Sequence, residues 1–186
     1  TVKKVERKEK KTYAPELYDL TALQKEASKR YGFSPKQTLN LMQSLYEHHK
    51  ILTYPRTDSR YLTSDMTDTL KDRIKASAAG PYKKTAALLL RKEIKGNRRF
   101  VNDKKVSDHH AIIPTEQSVR LMELSADERK IYDMVVRRFF AVLMEPSVSE
   151  QIRIRGEISG EQLQAKAVLQ KKAGWKDACE DQEQEE

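Results

Sequence analysis

Residues 51–62 read ILTYPRTDSRYL, with a phenol (Tyr54), a rigid joint (Pro55) and a guanidinium (Arg56) in consecutive positions. Proline holds the residue before it in extended conformations, so Tyr54 ends a strand-like segment. In an extended chain, side chains two apart share a face. Tyr54 and Arg56 therefore point the same way, with Pro55 turned from them. A tyrosine hydroxyl titrates near about 10 and is a poor nucleophile unaided. An adjacent cation lowers that value and binds the non-bridging oxygens of a phosphodiester. The pair suits attack on a nucleic-acid backbone, giving a phosphotyrosine ester that a strand hydroxyl can reverse. The same residues also suit an ordinary strand end, with Arg56 in a surface ion pair. Thr57, Asp58 and Ser59 are turn and cap formers that could fix the position of Arg56. Arg60 adds a charge that could meet a phosphate or stay solvated.

A second stretch, SDHHAIIPT at residues 107–115, sets His109 and His110 between a polar run and an apolar one. The four histidines (His48, His49, His109, His110) form two adjacent pairs, and the single Cys179 lies far along the chain, which is no zinc spacing. One histidine near a phosphate could donate a proton or a hydrogen bond to it. An exposed histidine in a turn is the plainer reading of the same residues.

The surroundings favour an anionic partner. The chain of 186 residues carries a net charge of +8, a balance that suits nucleic acid. Residues 1–120 hold 26 Lys and Arg against 14 Asp and Glu, whereas residues 121–186 hold 10 against 14. The basic part is the one that contains both motifs. One cysteine forms no internal disulfide, so the fold needs no oxidising compartment. No run approaches the roughly 18 apolar residues of a membrane helix, and TVKKVERKEKK is no secretory signal. The expectation is a DNA-associated, cytoplasmic piece of a longer protein.

The elements that position the motifs are mostly helical. TALQKEASKRYGF predicts a helix capped by Thr21, with Leu23 and Ala27 on one face and a stop at Gly32. A second helix begins with Ser34 as cap and Pro35 at the first position, and buries Leu39, Met42, Leu45 and Tyr46. Further helices are predicted over about 65–78, capped by Thr63 or Ser64, and through YKKTAALLLRKEIK after the Gly80-Pro81 break. Gly96 to Ser107 reads as a loop. Ser125 and Glu128 make a capping box for a helix over 126–145, ended by Pro146. Alternation in QIRIRGEI and LQAKAVLQ around Ser159-Gly160 predicts a β-hairpin. The closing acidic residues read as a tail. The fold class is thus mainly α with a small β module.

Together these stretches resemble the type IA DNA topoisomerases, particularly the topoisomerase III branch. LTALQKEASKRYGFSPKQTLNLMQSLYE, ILTYPRTDSRYL and SDHHAIIPT look like three of that family's consecutive signature blocks. SGEQLQAKAVLQKKAGWKDA looks, more loosely, like its β segment ending in Gly-Trp. The resemblance implies that Tyr54 attacks a DNA strand and holds its 5′ phosphate, that Arg56 contacts the scissile phosphate, and that His109 lies near the active site. It gives His110 no role. It places Ser28, Lys29, Arg30 and Gln43 in helical blocks lining the path of single-stranded DNA, where Arg30, Gln43 and Arg60 are the candidate contacts.

The resemblance also implies a magnesium-binding toprim domain with an Asp-x-Asp-x-Glu cluster after an apolar strand, and nothing in this chain fits it. Asp181, Glu183 and Glu185 alternate, but in a polar tail that reads as solvated. The expectation is therefore a helical tyrosine domain (13–146) inserted in part of a β-rich hinge domain (1–12 and 147–176), ahead of an acidic tail (177–186). Such a piece would hold no metal of its own, would work with the remaining domains of its parent, and would not cleave alone. The rival reading is a non-catalytic module that holds single-stranded nucleic acid by charge and stacking. Rolling-circle relaxases need a spaced histidine pair, and tyrosine recombinases keep their nucleophile near the C-terminus; neither pattern is present.

Overall fold

A computed structural model of the chain describes residues 1–179, so the tail carboxylates Asp181, Glu183 and Glu185 lie outside the described residues. The residues divide into two compact units: Thr1–Ala14 with Met144 onward, and the continuous run Pro15–Leu143. Taken together they make an α+β chain of five α-helices and one three-stranded antiparallel sheet.

In the first unit, the alternating residues become β1 (Val2–Thr12), β2 (Ser147–Ile158) and β3 (Glu161–Lys172), in spatial order β1-β2-β3. β2 and β3 are joined through Ser159 and Gly160, at φ 52° and 85°. Two consecutive positive φ values match the right-handed strand twist, which is why the turn takes a glycine here. The N-terminal stretch is a strand, pairing with β2 from Thr12↔Ser147 toward Val2↔Gly156. Register sorts the faces. Val5, Ile154 and Ala165 align across the sheet, as do Glu6, Arg153 and Lys166 one position on. Toward the β2–β3 turn one face is thus apolar and the other charged, while toward Thr12 the apolar face takes in Arg7, Glu9 and Glu150. Val5, Ile154 and Leu163 of the apolar face are exposed. Beyond β3, Gly174 sits at φ 58°, and a Cβ there would lie 2.4 Å from the Pro146 carbonyl oxygen. Trp175 then donates its indole N–H to the Thr12 carbonyl at 2.9 Å.

In the second unit, α1 spans Leu20–Tyr31 and buries Leu23 and Ala27 as predicted. Its cap is Asp19 rather than Thr21. The Asp19 carboxylate accepts the Ala22 N–H at 2.7 Å, and an aspartate reaches that orphan donor with charge to spare for the positive helix start. α1 ends at Gly32, whose left-handed φ of 68° lets its N–H return to the Ser28 carbonyl. α2 (Pro35–Gln43) starts on Ser34 and Pro35 as expected. It continues as one wide π-turn over Ser44–His48, which the sequence pattern did not indicate. The predicted helix over 65–78 is two pieces: a 3₁₀ turn at Ser64–Thr69, then α3 at Leu70–Ala76. Asp103 draws the Ser64 N–H at 2.7 Å, which tightens the start. α4 covers only Lys83–Leu90, ending before the charged RKEIK run. α5 (Ala126–Leu143) buries Ile131, Met134, Val135, Phe139 and Phe140.

The capping box at the start of α5 forms in both directions. Ser125 N–H meets Glu128 at 3.0 Å and Glu128 N–H meets the Ser125 hydroxyl at 3.1 Å. The other Glu128 oxygen takes the Ser44 hydroxyl at 2.8 Å and His49 at 2.9 Å, and so fastens the π-turn to α5. Burial works to raise the Glu128 pKa, but the Ser125 N–H, the Ser44 hydroxyl and His49 outweigh it and hold the group below its ordinary 4.5. A carboxylate depressed on folding stabilises the fold above its unfolded value, and that contribution is lost as pH falls through the folded value. Melting temperature should therefore drop as pH falls below about 4.5. In Glu128→Gln the fall should be shallower, and at pH 7 the variant should be about 1–2 kcal/mol less stable. Thermal melts across that range check both statements; parallel curves for the two proteins would contradict them.

Candidate active site around Tyr54

The extended segment after the π-turn behaves as Pro55 dictates. Pro55, Thr57 and Ser59 are buried while Arg56, Asp58 and Arg60 are exposed, and Tyr54 is half-buried. Alternate residues therefore lie on opposite sides, and Tyr54 and Arg56 lie on the solvent side of the segment. Residues 109–115 run along this segment in the opposite direction. Thr53 N–H donates to the Ile113 carbonyl at 3.0 Å, Thr115 N–H to Ile51 at 3.0 Å, and Ala111 N–H to Tyr61 at 3.0 Å. The turn formers act as stitches. The Thr57 hydroxyl donates to the His109 carbonyl at 3.1 Å and accepts the Ser59 N–H at 3.1 Å. The Ser59 hydroxyl donates to the Lys105 carbonyl at 2.8 Å. Their side chains serve the backbone, and that is what sets the register between the two motifs.

That register brings Tyr54 and His109 together, with ring centroids 4.2 Å apart and planes tilted by 34°. On its other side Tyr54 meets the ring of Tyr46 edge-on at 5.5 Å. Tyr46 comes from the π-turn, so the wide turn aims a second aromatic at the first. Two ring contacts hold the Tyr54 ring from two sides. Arg56 has no hydrogen-bond or ion-pair partner among the described residues and is exposed. Its donors are available to an incoming anion.

The remaining sequence candidates lie elsewhere on the unit. Arg60 donates to Asp19 at 2.9 Å and to Glu16 at 3.3 Å. It ties the site segment to the start of α1, and its charge is already met by two carboxylates. Arg30, in the last turn of α1, pairs with Glu26 at 2.5 Å. Gln43 is the last residue of α2, half-buried, directly before the π-turn.

Beside Tyr54 opens a cleft of about 650 Å³ lined by Tyr46, Lys50, Arg73, His110 and Thr115 among others. Sequence reasoning gave none of these a role in the site. Arg73 carried a readable signal: it stands on α3 between Leu70 and Ile74, both fully buried. Its guanidinium donates to the Pro114 carbonyl at 2.9 Å and to the Thr69 hydroxyl at 2.9 Å. Burial pulls its pKa below the usual value, with Glu116 opposing. His110 has Nδ1 2.7 Å from the Ala111 carbonyl oxygen. Burial lowers its pKa too, with Arg73 and His109 adding to the effect against the pull of that carbonyl.

Among the described residues no group of three or more His, Cys, Asp or Glu side chains is placed to hold a metal ion. No described helix is long and apolar enough to cross a membrane. The geometry offers a phenol held by two rings, a neighbouring imidazole and, two residues along the chain, an exposed guanidinium without a partner among the described residues.

A family described as DNA topoisomerase matches residues 1–186. DNA topoisomerase 3 of Bacillus cereus is 52% identical over 180 residues, covering 97% of this chain and 25% of the relative. The Bacillus subtilis protein of the same name is 50% identical over 181 residues, with 95% and 25% covered. Full-length topoisomerase I from Thermotoga maritima matches with a TM-score of 0.69 over 96% of this chain and 29% of that one. At 23% identity that match is a likeness of fold. The chain spans about a quarter of the length of the curated relatives it matches.

Proposed function

The chain belongs to the DNA topoisomerase family, and on that footing we propose that it is the tyrosine-bearing part of an enzyme that cuts and reseals single DNA strands. The observation that carries the reading is the setting of Tyr54, held between the rings of His109 and Tyr46 with Arg56 unpaired on the same segment. The Tyr54 oxygen attacks the phosphorus, the bond from phosphorus to the 3′ oxygen breaks, and the 5′ phosphate stays on the tyrosine. The phenol proton ends on the departing 3′ hydroxyl. Resealing runs the same exchange backwards, so the ester stores the bond energy and no nucleotide cofactor is consumed. Arg56 neutralises charge growing on the non-bridging oxygens. His109 donates a hydrogen bond to the same phosphate.

Along the strand, Arg30 and Gln43 contact the backbone on the α1–α2 side. Arg60 keeps Asp19 and exchanges Glu16 for a phosphate oxygen. Unit Pro15–Leu143 is read as the tyrosine domain, inserted in a hinge domain to which the three-stranded sheet belongs. Magnesium is assigned to another part of the parent, since this sequence carries no Asp-x-Asp-x-Glu cluster behind an apolar strand. The parent passes a second strand through the gap while the first is held.

The test is to trap the ester. The full-length parent is incubated with a 3′-labelled single-stranded oligonucleotide and magnesium, denatured and digested. Label is expected on the peptide containing Tyr54. Label on another residue, or none, overturns the reading. The isolated chain should give no adduct, and a clear one would overturn the division of the active site between this chain and the rest.

A further inference from the structure

The cleft beside Tyr54 is not used by the displacement itself. Its wall is built from four stretches: the π-turn supplies Tyr46, the segment after it runs from Lys50 to Tyr54, α3 supplies Arg73, and the antiparallel partner segment supplies His110 and Thr115. Its volume of about 650 Å³ lies within the usual range for small-molecule sites. The chemistry at His110 is specific. A carbonyl oxygen only accepts, so the nitrogen 2.7 Å from it, Nδ1, carries the proton. That fixes the neutral ring as the Nδ1–H tautomer and leaves Nε2 as an acceptor. Nε2 has no partner among the described residues, and half-buried His110 belongs to the lining of the cleft. Burial and the Arg73 charge favour this neutral form. Arg73 also grips the Pro114 carbonyl and so holds the 109–115 segment in place. Within the lining Tyr46 supplies a ring face, His110 an acceptor for a base N–H and Lys50 a cation for a phosphate, while Glu47 and Glu116 add carboxylates that accept N–H groups too.

We propose that this cleft is a nucleotide subsite, taking one base adjacent to the scissile phosphate, with His110 Nε2 accepting an N–H from the base and the Tyr46 ring walling it. Every nucleobase carries such an N–H, so the subsite requires a base without selecting one. It holds the strand at a fixed distance from the Tyr54 oxygen. This rests on the reading of Tyr54 as the nucleophile, and the experiment is chosen to separate the two.

The test is an abasic scan on the full-length parent. Single-stranded oligonucleotides carrying one abasic position at a time are titrated by fluorescence anisotropy, and cleavage is followed in parallel. In the unmodified parent, one position flanking the cut should lose about tenfold in affinity when abasic, the worth of one good hydrogen bond. His110→Asn keeps a donor near Nδ1 and removes the Nε2 acceptor. It should bind the intact strand about tenfold more weakly, and its abasic penalty at that one position should shrink to about twofold or less. Equal abasic profiles in the two proteins overturn the subsite, whether or not cleavage is seen. A shifted profile without a Tyr54 adduct keeps the subsite and removes the nucleophile. Tyr46→Leu supplies a second cycle: the same position should lose its abasic penalty there, and an unchanged profile counts against the proposal.

Discussion

Tyr54→Phe in the full-length parent is expected to lower strand cleavage by at least about ten-thousandfold while leaving oligonucleotide affinity within about threefold. The substitution removes one oxygen. The ring keeps its neighbours, His109 at 4.2 Å and Tyr46 at 5.5 Å, so the site stays assembled. Cleavage of a labelled oligonucleotide and its binding, measured side by side, give the split. A module that only holds nucleic acid would keep all of its function in this variant. Retained cleavage would move the nucleophile elsewhere.

Arg56→Ala should cost about a hundred- to thousandfold in cleavage, the usual loss when one pre-aimed donor to a developing oxyanion is removed. It should cost the fold almost nothing. Arg56 is exposed and bonded to no described residue, and surface changes of that kind stay within about 0.5 kcal/mol. Arg56→Lys keeps the charge and loses the planar fork, so it should recover part of the rate and stay about tenfold below the parent. Cleavage rates with a thermal melt of each variant check this. A variant that melts early, or one that cleaves normally, would show that Arg56 serves structure or solvation instead of the phosphate.

The sequence made some of this readable and hid the rest for physical reasons. Pro55 alone restricted Tyr54 to an extended backbone, and the residues from Pro55 to Arg60 alternate between buried and exposed. Ser34, Pro35, the Ser125–Glu128 box and the Ser159-Gly160 turn were legible because local rules decide them. The cap of α1 was misread because Thr21 and Asp19 both fit the rule, and it is Asp19 that also answers Arg60. The π-turn left no local trace. It is fastened by Glu128, which lies 84 residues from Ser44 in the chain. Without that distant carboxylate nothing in SLYEHHK distinguishes a wide turn from an ordinary one. The meeting of Tyr54 and His109 was expected only through the family resemblance. In the structure it rests on Thr57 and Ser59, whose hydroxyls looked like ordinary turn chemistry. The cleft was hidden because Arg73, His110 and Thr115 reach it from stretches far along the chain from Tyr46 and Tyr54.

The pairing of Thr12 with Ser147 has a mechanical meaning. The run Pro15–Leu143 leaves from one of these strands and returns to the other, so both of its tethers lie at the same end of the β1–β2 ladder. Spreading Thr12 from Ser147 would peel the β1–β2 bonds one at a time from that end of the ladder. The Trp175 indole grips the Thr12 carbonyl at 2.9 Å, so the one tryptophan of the chain stands where such peeling would begin.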